Sequence, residues 1–240
     1  MLLWLFFLLL LACMGTALPL QEDYELVNGD IVEDPTELPF LCRIQIRGGG
    51  GSHFCGAALI SADFLVTAKH CVTGFYDTCI KVDNCYVSCR DLNRAQHEIG
   101  EFKVSILDVF EKSGLSDLAV IQLKDKIHKH KDYALGVEIV PVSLATKAPE
   151  PGEEVLTAGW GQTGYSESLS EQLRKLKLRV SSVDKLFVHT DVMNAKGEVT
   201  DTCKGDSGGP LLIWRQSKWE VVGTLRVSSL SLSPPTTMLN

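Results

Sequence analysis

The chain has 240 residues, of which 45% are hydrophobic and 22% charged, and its formal net charge at pH 7 is −7. This composition is typical of a globular protein with a sizeable core and excludes a disordered or fibrous chain. The negative charge argues against nucleic acids and anionic membrane surfaces as partners.

The first residues predict export. Residues 2–13 form an unbroken apolar run that is too short to span a bilayer, and small residues follow up to Ala17. We interpret residues 1–17 as a secretory signal peptide; the alternative is a buried strand or helix at an intact N-terminus. We therefore expect a secreted, extracellular protein.

Cysteine usage fits that compartment. Loss of the signal peptide removes Cys13 and leaves seven cysteines, six of them between positions 42 and 89. They are expected to form disulfides, but an odd number cannot all pair within one chain. The spacing of Cys79, Cys85 and Cys89 also allows a zinc site, although no histidine lies in that cluster.

Most periodic segments alternate apolar and polar residues, as strands with one buried face do. Others are short apolar runs typical of buried strands, and turn residues rich in Gly and Pro separate them. The alternating segments are 41–46, 118–123 and 176–180; the apolar runs are 57–60, 64–66 and 210–214. The pattern predicts an all-β protein of many short strands, as in a sandwich or barrel.

Three segments offer the parts of a nucleophilic site. A serine hydroxyl is a weak nucleophile until an oriented base takes its proton. We predict Ser207 as nucleophile, His70 as base and Asp117 as the group that orients the base, although an Asp at a strand start is also a common turn residue. The segments are LVTAKHC at 65–71, SDLAV at 116–120 and GDSGGP at 205–210.

Glycines surround the candidate nucleophile. They allow the backbone to approach a substrate closely, and the N–H groups of Gly205 and Ser207 can point at one spot. Such a pair of donors would stabilise a developing oxyanion.

These motifs, with Gly159-Trp160-Gly161 between them, resemble the trypsin/chymotrypsin family of serine endopeptidases. The likeness runs from about residue 26 to residue 225, which we take as the protease domain. It implies two six-stranded Greek-key β-barrels with the active site between them, and peptide hydrolysis through an acyl-enzyme. It implies a monomer with protein or peptide substrates and with protease inhibitors as further partners. Serine acyl transfer needs no cofactor and no catalytic metal, and the sequence leaves calcium binding by a loop open.

The resemblance assigns further positions. It implies a disulfide between Cys55 and Cys71 beside the catalytic histidine. Val155 and Ile213 fall at two positions that relatives join by another disulfide. Asp201 falls where relatives place the carboxylate of the specificity pocket, which would select Arg or Lys because an apolar side chain would leave a buried charge unpaired. The alternative for Asp201 is a surface residue in a loop.

The sequence LVNG at 26–29 resembles the N-terminus that zymogen cleavage exposes in the family. Residues 18–25 would then be a short pro-segment, and the freed amino group of Leu26 would pair with Asp206 and shape the oxyanion hole. Glu25 stands where most relatives have Arg or Lys, so trypsin-like activation is not expected. The alternatives are an acid-specific protease, trimming by exopeptidases, or a chain that is never activated.

The likeness ends after Leu225. Relatives continue with a Ser-Trp-Gly strand, a cysteine and a helix, whereas residues 226–240 here are a divergent tail rich in Ser and Pro. In relatives that strand binds substrate backbone and forms a wall of the specificity pocket, and its serine hydrogen-bonds the triad aspartate. The missing cysteine would have paired with Cys203, which would explain the odd count.

We therefore expect the second barrel to be incomplete and residues 226–240 to be a foreign tail, as from a truncated or alternatively spliced product. The alternating pattern of residues 227–232 also allows one short added strand. Three readings of the chain follow: a secreted endopeptidase that cuts after Arg or Lys, a non-catalytic or weakly active homologue that acts as a binding protein or decoy, and a product too incomplete to fold.

Overall fold

The computed structural model describes residues 29–34, 36–48, 51–73, 85–89, 104–108, 117–123, 138–162, 168–191, 204–226 and 236–239. In these ranges the chain forms fourteen strands and one short helix, α1 (His70–Thr73). The all-β prediction is confirmed. The predictions for the signal peptide, the pro-segment, Leu26, Cys79, Asp201 and Cys203 lie outside the described residues.

Six strands of the N-terminal half form one antiparallel sheet in the order β5-β2-β3-β4-β7-β6. Their side chains follow the alternation seen in the sequence: in β7, Ala119, Ile121 and Leu123 are buried. Numbered after β1 (Asp30–Ile31), which belongs to the other sheet, the strands are β2 (Leu41–Gly48), β3 (Gly51–Leu59), β4 (Phe64–Ala68), β5 (Cys85–Cys89), β6 (Val104–Asp108) and β7 (Leu118–Leu123).

The second sheet contains β1 and seven later strands. Six of them pair in a ring, β9-β10-β11-β14-β13-β12 and back to β9, while β1 pairs with β10 and β8 with β13. The later strands are β8 (Ser143–Leu144), β9 (Glu154–Gly159), β10 (Arg174–Val183), β11 (Phe187–Thr190), β12 (Pro210–Arg215), β13 (Lys218–Arg226) and β14 (Thr236–Leu239).

The closure of this ring corrects the expectation of an incomplete second barrel. Strand β14, which lies in the divergent tail, pairs with β13 on one side and with β11 on the other. A strand at this place satisfies the backbone groups of two edges that would otherwise be left unpaired. The tail thus contributes a strand at Thr236–Leu239, whereas the strand considered for residues 227–232 lies outside the described residues.

The core fills both barrels. A larger cluster of buried hydrophobic residues lies mainly in the first sheet and extends into the second, where it includes Leu156, Trp160 and Leu212. A smaller cluster belongs to the second sheet and includes Val155 and Ile213, which are 1% and 3% exposed. These two residues therefore contribute packing where relatives are implied to have a disulfide.

Two disulfides lie in the first half of the chain. Cys55 is bonded to Cys71, as the resemblance implies. Cys42 is bonded to Cys89, its register partner on the neighbouring strand. The second bond removes Cys89 from the zinc ligands considered above and removes Cys42 and Cys89 as partners for Cys203. No helix in the described parts of the chain is long and apolar enough to cross a membrane.

Candidate active site

His70 and Asp117 lie side by side because β4 and β7 are paired strands. Ala68 faces Leu118 in the register, and the backbone N–H of Lys69 donates to the carbonyl of Asp117 at 2.8 Å. His70 therefore starts α1 next to the residue that precedes β7. Both positions follow from strand pairing, so the two side chains are presented from one rigid edge of the first barrel.

The carboxylate of Asp117 holds His70 at two points. Its Oδ1 accepts a hydrogen bond from the backbone N–H of His70 at 2.7 Å, and its Oδ2 lies 2.6 Å from Nδ1 of the imidazole. An acceptor on Nδ1 favours the tautomer with a proton on Nδ1 and leaves Nε2 free to accept one. The arrangement fits a base and the group that orients it.

The electrostatic state of Asp117 suits this contact. Burial raises the pKa of its carboxyl, but hydrogen bonds from the side chain and backbone of His70, together with the charges of His70 and Arg226, outweigh burial. The pKa of Asp117 is therefore held below its ordinary value of 3.8. The group is a carboxylate at neutral pH and can stabilise an imidazolium beside it.

Ser207 lies in a tight turn between the barrels. Gly205 and Gly208 on either side have φ angles of +100° and +79°, in the left-handed region that favours glycine. The carbonyl of Ser207 accepts a hydrogen bond from the N–H of Gly56, on β3 of the first barrel, at 2.8 Å. The turn is thus fixed by its own glycines and by the facing barrel.

The turn packs closely against that barrel. A Cβ added at Gly208 would overlap Oγ1 of Thr67 and lie 2.6 Å from the carbonyl oxygen of Gly56. A Cβ added at Gly56 would lie 2.6 Å from Cα of Gly209. Backbone therefore meets backbone at this point, and Gly208 and Gly209 are needed for contact between the barrels.

Asp206 is buried at 1% exposure and points toward Gly159-Trp160-Gly161. Its Oδ1 accepts a hydrogen bond from the N–H of Gly161 at 2.8 Å. A Cβ at Gly161 would overlap the carboxylate group, and one at Gly159 would overlap its Oδ1. The two glycines therefore make room for the side chain next to Ser207, a role that sequence reasoning missed although it singled out the motif.

The Cys55–Cys71 disulfide lies against both halves of the site. Sγ of Cys71 is 3.8 Å from Nε2 of His70 and 3.5 Å from the carbonyl oxygen of Ser207. Cys55, His70 and Cys71 also form a group of potential metal ligands whose ligand atoms lie within 4.8 Å of one another. With the two sulfurs bonded to each other, the group offers no thiolate.

The comparison with known families agrees with this geometry. The Trypsin family model matches residues 27–233. The chain belongs to the trypsin family. The matched range includes the first sheet, the segments that carry His70, Asp117 and Ser207, and the start of the tail, and it ends before strand β14.

Curated relatives of the trypsin family cover most of the chain. Phenoloxidase-activating factor 3 of Holotrichia diomphalia is 30% identical over 222 residues, which are 80% of this chain and 61% of that protein. Trypsin theta of Drosophila erecta is 27% identical over 212 residues, 81% of this chain and 74% of that protein. The chain thus spans less than two thirds of the length of the first relative.

One residue of the site was not expected from the sequence. Arg226, at the end of β13, stands where the resemblance places a serine, and its Nε lies 3.9 Å from Oδ2 of Asp117. The sequence signal was the loss of the Ser-Trp-Gly pattern after Leu225, which indicated an absent serine but not a cation near the aspartate.

Proposed function

We propose that the chain is a secreted serine endopeptidase that cleaves peptide bonds after Arg or Lys. The observation that carries the proposal is the two-point contact between Asp117 and His70, next to a glycine-lined turn that holds Ser207. Membership of the trypsin family supports peptidase chemistry in general. The roles of the individual residues and the specificity belong to the proposal.

In the proposed reaction, Oγ of Ser207 attacks the carbonyl carbon of the substrate while Nε2 of His70 takes the hydroxyl proton. Asp117 accepts a hydrogen bond from the Nδ1–H of His70 and stabilises the imidazolium, while the proton stays on Nδ1. The backbone N–H groups of Gly205 and Ser207 would donate to the oxyanion. His70 then gives its proton to the leaving amine, and water releases the acyl group by the reverse sequence.

Specificity and activation are assigned to three carboxylate or amine groups. Asp201 would accept a substrate Arg or Lys. Residues 1–17 and 18–25 would be removed as signal peptide and pro-segment, and the new amino group of Leu26 would pair with Asp206. The pairing is proposed because the carboxylate of Asp206 is buried between Gly159 and Gly161, where a charged amino group could stabilise it.

The test uses the full chain with residues 21–25 replaced by Asp-Asp-Asp-Asp-Lys, so that enteropeptidase exposes Leu26. A fluorophosphonate probe should label the cleaved chain and should not label Ser207→Ala. Ser181→Ala, which removes an exposed serine of β10, should label like the parent. If the folded parent reacts no faster than Ser207→Ala, the enzyme proposal fails.

A peptide panel then tests specificity. The cleaved chain should prefer Arg and Lys before the scissile bond, and Asp201→Ser should lose that preference. An unchanged preference in the variant would contradict the assignment of Asp201 even if the enzyme is active.

A second candidate is a weakly active or non-catalytic homologue that binds partners. The cation beside Asp117 and the Glu25 junction favour it. It predicts a folded chain that binds protein partners but is not labelled at Ser207 even after cleavage before Leu26.

A further inference from the structure

Arg226 is held close to the candidate catalytic residues by the strand that carries it. The preceding residue, Leu225, makes two backbone hydrogen bonds to the turn that contains Ser207. Its carbonyl accepts from the N–H of Gly208 and its N–H donates to the carbonyl of Gly209, both at 2.8 Å. On the other side, Arg226 is the register partner of Thr236 in β14. The backbone of Arg226 is therefore fixed between the turn of Ser207 and the tail strand.

The side chain of Arg226 approaches the same oxygen that holds the imidazole. Oδ2 of Asp117 lies 2.6 Å from Nδ1 of His70 and 3.9 Å from Nε of Arg226. The aspartate side chain is only 14% exposed, whereas the arginine side chain is 52% exposed. The guanidinium of Arg226, which is a cation, and the imidazole of His70, which can become one, therefore lie next to the same partly buried oxygen of Asp117.

This sharing has a consequence for proton transfer. When His70 takes the proton of Ser207, the imidazolium depends on Asp117 for stabilisation. A guanidinium, which is always charged, competes for that carboxylate and repels the new positive charge. A neutral serine hydroxyl, which the resemblance places at this position, could donate to Asp117 without that repulsion.

We propose that Arg226 is a positioning residue that attenuates the enzyme, by sharing the carboxylate of Asp117 with His70 and opposing the imidazolium that forms during catalysis. The inference rests on the proposed role of His70 as base. It assigns to the divergent tail a function in the active site, since β14 fixes the end of β13 from which Arg226 extends.

The expected size of the effect follows from Coulomb's law. Two unit charges about 6 Å apart change a rate by roughly a hundredfold at the effective dielectric constant of about 20 found near a protein surface, and by roughly threefold in bulk water. The half-exposed guanidinium is partly screened by solvent and salt, so we expect a change of about threefold to tenfold. The effect should fall on kcat rather than on KM, because the imidazolium forms only as the reaction proceeds.

The experiment compares the enteropeptidase-cleaved parent with Arg226→Gln, which removes the charge, and Arg226→Lys, which keeps it. Arg226→Ser serves as a second neutral variant, and thermal unfolding verifies that each protein is folded. The fluorophosphonate labelling rate and kcat of the neutral variants should rise about threefold to tenfold. Those of Arg226→Lys should stay within about twofold of the parent.

Equal rates for the parent and both folded neutral variants would overturn the inference, and so would a lysine variant as fast as the neutral ones. A readout that needs no activity separates this result from failure of the proposed function. In the Ser207→Ala background, the proton resonance of the His70–Asp117 hydrogen bond should move in Arg226→Gln and stay in place in Arg226→Lys. If no variant is labelled, the proposed function fails, and this resonance decides the inference: an identical position in all three proteins overturns it.

Discussion

The contact between Gly208 and the first barrel predicts a large stability cost for one added methyl group. In Gly208→Ala, the residue keeps a φ of +79°, which costs an L-residue about 1–2 kcal/mol. Its Cβ also meets the backbone oxygen of Gly56 at 2.6 Å and overlaps Oγ1 of Thr67, an overpacking that costs about 1–3 kcal/mol more. The free energy of unfolding should therefore fall by about 2–5 kcal/mol. The lower conformational entropy of alanine in the unfolded chain offsets up to about 1 kcal/mol of this loss.

Gly152 provides a matched control for the backbone term. Its φ of +92° is also left-handed, but a Cβ there would meet nothing within 4 Å. Gly152→Ala should carry the backbone cost alone, so the difference between the two variants isolates the contact between the barrels, at about 1–3 kcal/mol. Urea unfolding followed by tryptophan fluorescence, without reductant, measures both. A difference below about 0.5 kcal/mol would refute the packing argument.

Three further substitutions test other contacts of the two barrels. Gly161→Ala should displace the carboxylate of Asp206 and lower the fluorophosphonate labelling rate of the proposed enzyme at least about tenfold, since the neighbouring N–H groups of Gly205 and Ser207, the proposed oxyanion donors, would shift; an unchanged rate would contradict this. Because the pKa of Asp117 is lower in the folded protein than its ordinary 3.8, the stability that it contributes is complete above about pH 4 and is lost as pH falls through the folded value. In Asp117→Asn, the free energy of unfolding should therefore fall less steeply than in the parent as pH decreases below about 4. If the two proteins show the same pH dependence of the free energy of unfolding, the prediction is refuted. Val155→Cys with Ile213→Cys should form a disulfide detectable by thiol titration, because continuing the β9–β12 register of Leu211 with Thr157 and Leu212 with Leu156 by one residue places the two positions opposite each other; two more free thiols in the folded variant than in the parent would contradict this.

Much of the site could be predicted from local patterns. His70 and Asp117 flank strands that can be recognised from their runs of apolar residues. The glycines around Ser207 specify a turn with positive φ angles that few other residues could form. The resemblance supplied the rest of the frame, including the disulfide between Cys55 and Cys71, which the structure contains. The strands and the glycine turn could be predicted because each depends on residue types within one short segment.

Features that depend on distant pairing could not be predicted in the same way. The bond between Cys42 and Cys89 depends on which strand lies beside β2, and alternation alone does not choose a neighbour. The same reason applies to β14, whose four residues carry a weak strand signal but fit between two open edges. The approach of Arg226 to Asp117 depends on how the two barrels pack together, since it joins the ends of strands in different barrels.

The placement of the proposed catalytic groups divides them unequally between the barrels. His70 and Asp117 are fixed to neighbouring strands of one sheet, whereas Ser207 reaches them across a seam where the N–H of Gly56 meets its carbonyl. Sliding of one barrel against the other would therefore change the distance between base and nucleophile while leaving the histidine and aspartate in register. A molecule that binds in this seam would therefore change the distance between the proposed nucleophile and the proposed base without disturbing the contact between His70 and Asp117.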